Sequence, residues 1–63
     1  MKLWLRKAIV DERLRFYTEA IRLKPDYADA FNNRGLARRD KGDLEGADED
    51  FKKAERLKVA AGT

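Results

Sequence analysis

The segment Tyr17-Thr18-Glu19-Ala20-Ile21-Arg22-Leu23-Lys24 returns, at an offset of 34 residues, as Phe51-Lys52-Lys53-Ala54-Glu55-Arg56-Leu57-Lys58. Ala, Arg, Leu and Lys recur unchanged at the fourth, sixth, seventh and eighth places, and the aromatic at the first place is kept. Self-similarity at this spacing belongs to chains built from stacked helical units, each of which buries its apolar face on a neighbour. The repeat therefore limits this chain to helices packed side by side.

The punctuation between the copies divides the chain. From Lys2 to Lys24 there is no Gly, Pro, Asn or Ser, so nothing interrupts a helix. Pro25 stops it by pushing the residue before it out of the α region. At 100° per residue, Leu3, Val10, Leu14, Tyr17 and Ile21 form one stripe on residues 1–24, and Leu5, Ile9, Phe16, Ala20 and Leu23 form a second beside it. Together they cover about half the circumference, wider than one neighbouring helix needs. Asp26 is the expected N-cap of a second helix over 26–40, with Asp29 placing negative charge in its first turn. Gly42 suits a left-handed terminating position and Asp43 can cap a third helix over 44–60. The offset sets Lys7-Ala8-Ile9 opposite the turn Lys41-Gly42-Asp43. With Ala for Gly and Ile for Asp the turn chemistry is gone, so one helix of about six turns should run through this point. A residual hairpin near Lys7 is the alternative. The fold class is all-α, with three helices in one small domain.

The hairpin carries a fuller pattern. Phe31-Asn32-Asn33-Arg34-Gly35-Leu36-Ala37-Arg38 is followed by the break Lys41-Gly42-Asp43, then by Ala47, Phe51 and Ala54. An aromatic four residues before a glycine, a Gly-Asp turn and an Ala-x-x-x-Phe pair resemble the tetratricopeptide repeat. The resemblance implies an α-solenoid fragment: one full repeat, preceded by the second helix of another. It also implies a hairpin that holds protein partners. In the family the first helix of each repeat lines a concave face that takes extended peptides. The matching positions here are Asp29, Asn32, Asn33, Leu36 and Arg39. Asn33 corresponds to an asparagine that in some members contacts a peptide backbone or carboxylate, and its simpler role is local hydrogen bonding. Arg34 and Arg38 stand where the family often has Leu and Tyr, and interchain salt bridges are one use for them. Asp48 and Glu55 follow Ala47 and Ala54, at positions where the family is usually apolar. The equivalent residues of the first helix are Leu14 and Ile21, so the third helix reads as the water-facing end of an array.

Stability is the next constraint. Sixty-three residues without cysteine are close to the size at which a single core is marginal, and no disulfide or thiolate metal site can reinforce it. One and a half repeats fall short of the three that a stack usually needs. The unmet apolar surface lies on the first helix, so self-association is expected through Leu3, Trp4, Leu5, Ile9 and Phe16. A homodimer, which would contain the helices of three repeats, is expected before a tetramer.

The residue inventory narrows the chemistry. His, Cys and Ser are absent, which removes the usual nucleophiles and near-neutral general bases. No Gly-rich phosphate loop occurs. The acids Asp43, Glu45, Asp48, Glu49 and Asp50 match the positive pole of the third helix and lack the spacing of a calcium loop. No catalytic residue, metal or cofactor is therefore expected, and the chain reads as non-enzymatic. Charge is uneven: Met1–Pro25 holds seven basic and three acidic residues, whereas the remainder holds eight and nine. A basic first helix leaves two alternatives. One is peripheral membrane binding through Met1–Lys7, where Trp4 and Leu5 sit among Lys2, Arg6 and Lys7. The other is nucleic-acid binding through Arg13, Arg15, Arg22 and Lys24. Interleaved signs favour a solvated helical face instead. With no signal-peptide pattern and no apolar run of spanning length, the expected location is cytoplasmic.

Overall fold

A computed structural model describes residues 3–62, with side chains described for residues 8–61. Three helices account for nearly all of it: α1, Leu3–Leu23; α2, Ala28–Lys41; and α3, Leu44–Gly62. Helix α2 is central and packs on both α1 and α3. The principal-axis extents are 47 × 22 × 13 Å. The shortest is close to the roughly 10–12 Å diameter of one helix, so the three lie in a single layer. A single layer leaves each outer helix open on its far side.

Helix α1 runs without a break through Lys7–Ile9. Beyond it, Lys24 to Tyr27 form a β-turn, in which the Tyr27 amide donates to the Lys24 carbonyl at 3.1 Å. Pro25 supplies the fixed φ of the second turn position. This turn corrects the expected cap. Asp26 is consumed in the turn, and Tyr27 occupies the N-cap position of α2 without a side-chain cap hydrogen bond. Lys24 instead places its ammonium 5.5 Å from the Tyr27 ring centroid.

The α2–α3 turn is tightly specified. Gly42 has φ 98°, a conformation that glycine adopts at little cost. Its amide donates to Arg39 O at 3.0 Å, and that of Asp43 to Arg38 O at 2.8 Å. This is the Schellman arrangement that closes a helix. Asp43 then starts α3, its Oδ1 accepting from the Gly46 amide at 3.0 Å. Together the two residues satisfy end groups of both helices and fix the reversal between them.

Small residues bring α2 and α3 together. The buried apolar side chains among the described residues are Ala30, Phe31, Ala37, Ala47 and Ala54. The Phe51 ring packs against Gly35: a Cβ built on that glycine would sit 2.6 Å from Phe51 Cε1 and 2.8 Å from Cδ1. Between the alanines of α3 lies Asp50, only 3% exposed. Arg34 grips it with two parallel bonds, Nε to Oδ2 and Nη2 to Oδ1, each 2.9 Å. Arg38 Nη1 approaches Oδ2 at 3.4 Å and also donates to Gly46 O at 3.3 Å. The Arg34 guanidinium reaches Thr18 Oγ1 on α1 at 3.3 Å as well, and stacks 5.5 Å from the Phe31 centroid. These arginines thus pair within the chain and not between chains, and Asp50 is an interhelix anchor rather than a helix-pole charge. Among the described residues, α1 and α2 are also joined by an ion pair of Lys41 Nζ with Asp11 Oδ1 at 2.6 Å.

This packing sets the stability of three variants. Asp50→Asn removes the carboxylate that pairs with two partly buried guanidiniums, and should cost about 3 kcal/mol in denaturant unfolding. Asp48→Asn, which breaks the exposed pair with Lys52, should change stability by less than about 1 kcal/mol. Gly35→Ala would ordinarily gain helix stability of about 1 kcal/mol. Here overpacking against Phe51 should reverse the sign, at a net cost of about 1 kcal/mol. Adding Phe51→Leu to that variant should recover part of the loss, and equal stability of the single and double variants would contradict the contact.

Candidate functional site: two open surfaces of the layer

The first surface is the outer side of α1. The two apolar stripes of this helix separate cleanly. Val10, Leu14, Tyr17 and Ile21 are half-buried toward α2. Ile9, Phe16 and Leu23 of the second stripe are exposed by 48%, 71% and 71%. Ala20, of the same stripe, is half-buried. The exposed residues follow a seven-residue spacing, so they form one line along the helix. Phe16 leans edge-on against Tyr17, with ring centroids 5.8 Å apart and planes at 68°. Charged residues flank the line. Glu19 and Arg22 form an i,i+3 pair on the surface, in which the hydrogen bond from Arg22 holds the Glu19 carboxyl below its ordinary pKa and raises that of the guanidinium. Of the residues expected to self-associate, Ile9 and Phe16 lie on this surface. The side chains of Leu3, Trp4 and Leu5 lie outside the described residues. Leu23, of the same stripe, shares the seven-residue line with Ile9 and Phe16.

The second surface is a cleft of about 260 Å³ where α1 meets α2, lined by Arg13 and Tyr17 from α1 and by Asn33, Leu36, Ala37, Arg39 and Asp40 from α2. Three of the five residues expected on a peptide-binding face, Asn33, Leu36 and Arg39, therefore share it. Asp29 is exposed and Asn32 half-buried on the same helix, but neither lines the cleft. The contributions of Arg13 and Tyr17 are not visible in the pattern of α2 alone. They come from the preceding helix, and only the packing of the two helices reveals them. Two guanidiniums against one carboxylate give the cleft a basic balance, and Leu36, 40% exposed, gives it an apolar floor.

A third depression, about 430 Å³, runs along α3 past Lys52, Glu55, Arg56, Val59 and Ala60. It lies on one helix and is bordered by charged side chains of both signs, as a water-facing end requires. Glu55 and Asp48 are both exposed. Among the described residues no helix is long and apolar enough to cross a membrane, and no three acidic side chains gather in a metal-ligating group.

Comparison with known proteins bears on the same hairpin. Residues 28–58 match the family described as tetratricopeptide repeat. Tetratricopeptide repeat protein 36 of Mus musculus is 47% identical over 49 residues, which are 78% of this chain and 26% of that protein. The chain thus spans about a quarter of the length of that relative. No solved structure matches it. The Gly-Asp turn, the glycine–phenylalanine contact and these two sequence matches agree: the chain is of the tetratricopeptide-repeat type, with residues 28–58 as its matched repeat.

Proposed function

We propose that this chain is a non-enzymatic module for protein–protein interaction that assembles with copies of itself through α1. Tetratricopeptide repeats generally mediate contacts between proteins, and the finer reading is supported by one observation. Ile9, Phe16 and Leu23 stand in water on the outer side of α1, while the opposite end of the layer, α3, presents Asp48 and Glu55. Each large apolar side chain left uncovered forgoes about 1.5–3 kcal/mol. That is a large share of the stability of a domain this small. Covering the stripe with a second copy supplies what one layer cannot. Leu3, Trp4 and Leu5 extend the same helix and are assigned to the same contact. A dimer is favoured, with a tetramer as the next assembly.

The cleft supports a second role for the assembled protein, the binding of an extended peptide across Asn33, Leu36 and Arg39, with Asp29 and Asn32 farther along α2. Its basic balance selects acidic segments. Basic residues elsewhere on α1 alternate with acids, which weighs against nucleic acid and anionic membrane as partners.

Light scattering at micromolar concentration should give the mass of a dimer. The double variant Ile9→Asp/Phe16→Asp should dissociate or unfold, seen as a halved mass or lost helical circular dichroism. A stably folded wild-type monomer would overturn the assembly. For the cleft, a peptide array should return acidic sequences, and Arg39→Glu should weaken their binding about tenfold, the equivalent of losing one charge-assisted contact of roughly 1.4 kcal/mol. Undiminished binding by that variant would exclude the cleft.

A further inference from the structure

The hydroxyl of Thr18 ties α1 to the same guanidinium that anchors α2 on α3. Arg34 gives Nε and Nη2 to Asp50 and donates from Nη1 to Thr18 Oγ1 at 3.3 Å. Asp50 thus takes the side-on edge of the guanidinium, and the end-on edge keeps a hydrogen to spare on each terminal nitrogen. Thr18 itself is exposed. It follows Phe16 by two residues, which carries it about 200° around the helix. It therefore lies on the far side of α1 from the open stripe, and what is inferred of it rests on neither self-association nor the cleft. Arg15 and Arg22, three residues before and four after, share its face of α1. Arg15 has no ion-pair partner among the described residues. Arg22 is held by Glu19, and Asp11, two turns earlier, by Lys41.

The sequence around this hydroxyl has its own order. Arg13-Leu14-Arg15-Phe16-Tyr17-Thr18 sets guanidiniums five and three residues before it, in a chain without serine. An enzyme groove lined by carboxylates reads such a pattern through charge-assisted hydrogen bonds. We propose that Thr18 is a phosphorylation site for an arginine-directed protein kinase, and that Arg34 holds the phosphate and fastens α1 to α2. In the transfer Thr18 Oγ1 attacks the γ-phosphorus of ATP and the bond from that phosphorus to the bridging oxygen breaks. ADP leaves, and the hydroxyl proton passes to the kinase's catalytic carboxylate. Residues 13–19 open locally to be read as an extended segment, and the phosphate meets Arg34 when the helix re-forms. The modification adds roughly two negative charges and three acceptor oxygens. These take the end-on edge of Arg34 while Asp50 keeps the side-on edge, and Arg15 supplies a second cation. Glu19 repels the phosphate but is itself engaged by Arg22. The negative pole of α1 acts mainly within the last turn of the helix, which Thr18 precedes.

Incubating the full chain with magnesium ATP and protein kinase B, then fragmenting the product in a mass spectrometer, should place one phosphoryl group on Thr18. Arg15→Gln should slow that transfer at least about tenfold, the loss of one charge-assisted contact to the kinase, whereas Glu12→Gln should not slow it. An unmodified Thr18, or equal rates for wild type and Arg15→Gln, would overturn the site. The clamp is read separately, on a chain synthesised chemically with phosphothreonine at position 18. Its second phosphate pKa, followed by phosphorus NMR, should lie about one unit lower in the folded chain than in urea, where it is near 6. A pKa lowered by folding adds stability that is present above the unfolded value and lost as pH falls through the folded one. The urea midpoint above that range should therefore exceed that of the unmodified chain. Equal pKa values in the folded and unfolded chain, or a lowered midpoint, would overturn the clamp. Arg15→Gln in the synthetic chain should keep most of the shift; its complete loss would assign the phosphate to Arg15 and overturn the role of Arg34.

Discussion

Asp50 sets how α2 and α3 meet. A carboxylate that is nearly enclosed has to be balanced, and Arg34 does so bidentately while Arg38 closes from the other side. A bidentate pair constrains direction as well as distance, so the two helices cannot slide or rotate on each other without stranding a charge. The alanines and Gly35 around it are what make this anchoring possible. They draw the backbones close enough for short contacts, and Phe51 fills the space that Gly35 leaves. Apolar burial alone would be thin here, since Phe31 is the only large side chain among the buried apolar residues described. Specific geometry comes from the ion cluster, and attraction from the small-residue contact around it.

The same position in the preceding helix explains why one end of the layer is open. Phe16 stands where Asp50 would stand, and Ile9 where the capping Asp43 would stand. Losing the cap lets α1 continue as one helix, and losing the carboxylate removes the socket for an arginine-bearing neighbour. Both changes turn a hairpin-forming face into an apolar one. At the other end Asp48 and Glu55 place charge on the outer face of α3, between the exposed Leu44 and Val59.

The elements and their turn were legible because local chemistry decides them. Gly42 and Asp43 do as their residue types require, and Pro25 ends α1. The start of α2 was less so. Asp26 has the right side chain for a cap, but Pro25 makes the preceding turn so favourable that Asp26 falls inside it and the helix begins later. The ion cluster was the larger omission. Asp50 lies in a run of acids at the start of α3, where a helix-pole role explains all of them equally well. What marks it out is register: it sits three residues after Ala47 and four before Ala54, on the small-residue face. Arg34 and Arg38, four apart on α2, were visible as departures from the family pattern, but their common acceptor depends on how the two helices pack. The cleft was half legible for the same reason. Its α2 residues follow from the repeat, whereas Arg13 and Tyr17 reach it only through the packing of α1.

The open stripe of α1 and the cleft adjoin through that last pair of residues. Going round α1 at 100° per residue, Arg13 lies between the exposed stripe and the residues that face α2, of which Tyr17 is the nearest to it. Whatever covers the stripe also borders the cleft. Helix α1 is joined to α2 by half-buried side chains, the Lys41–Asp11 pair and the Arg34–Thr18 bond, while the Asp50 cluster fixes α3 on the other side of α2. A contact on the stripe therefore bears on one wall of the cleft through α1 alone, without passing through the hairpin turn.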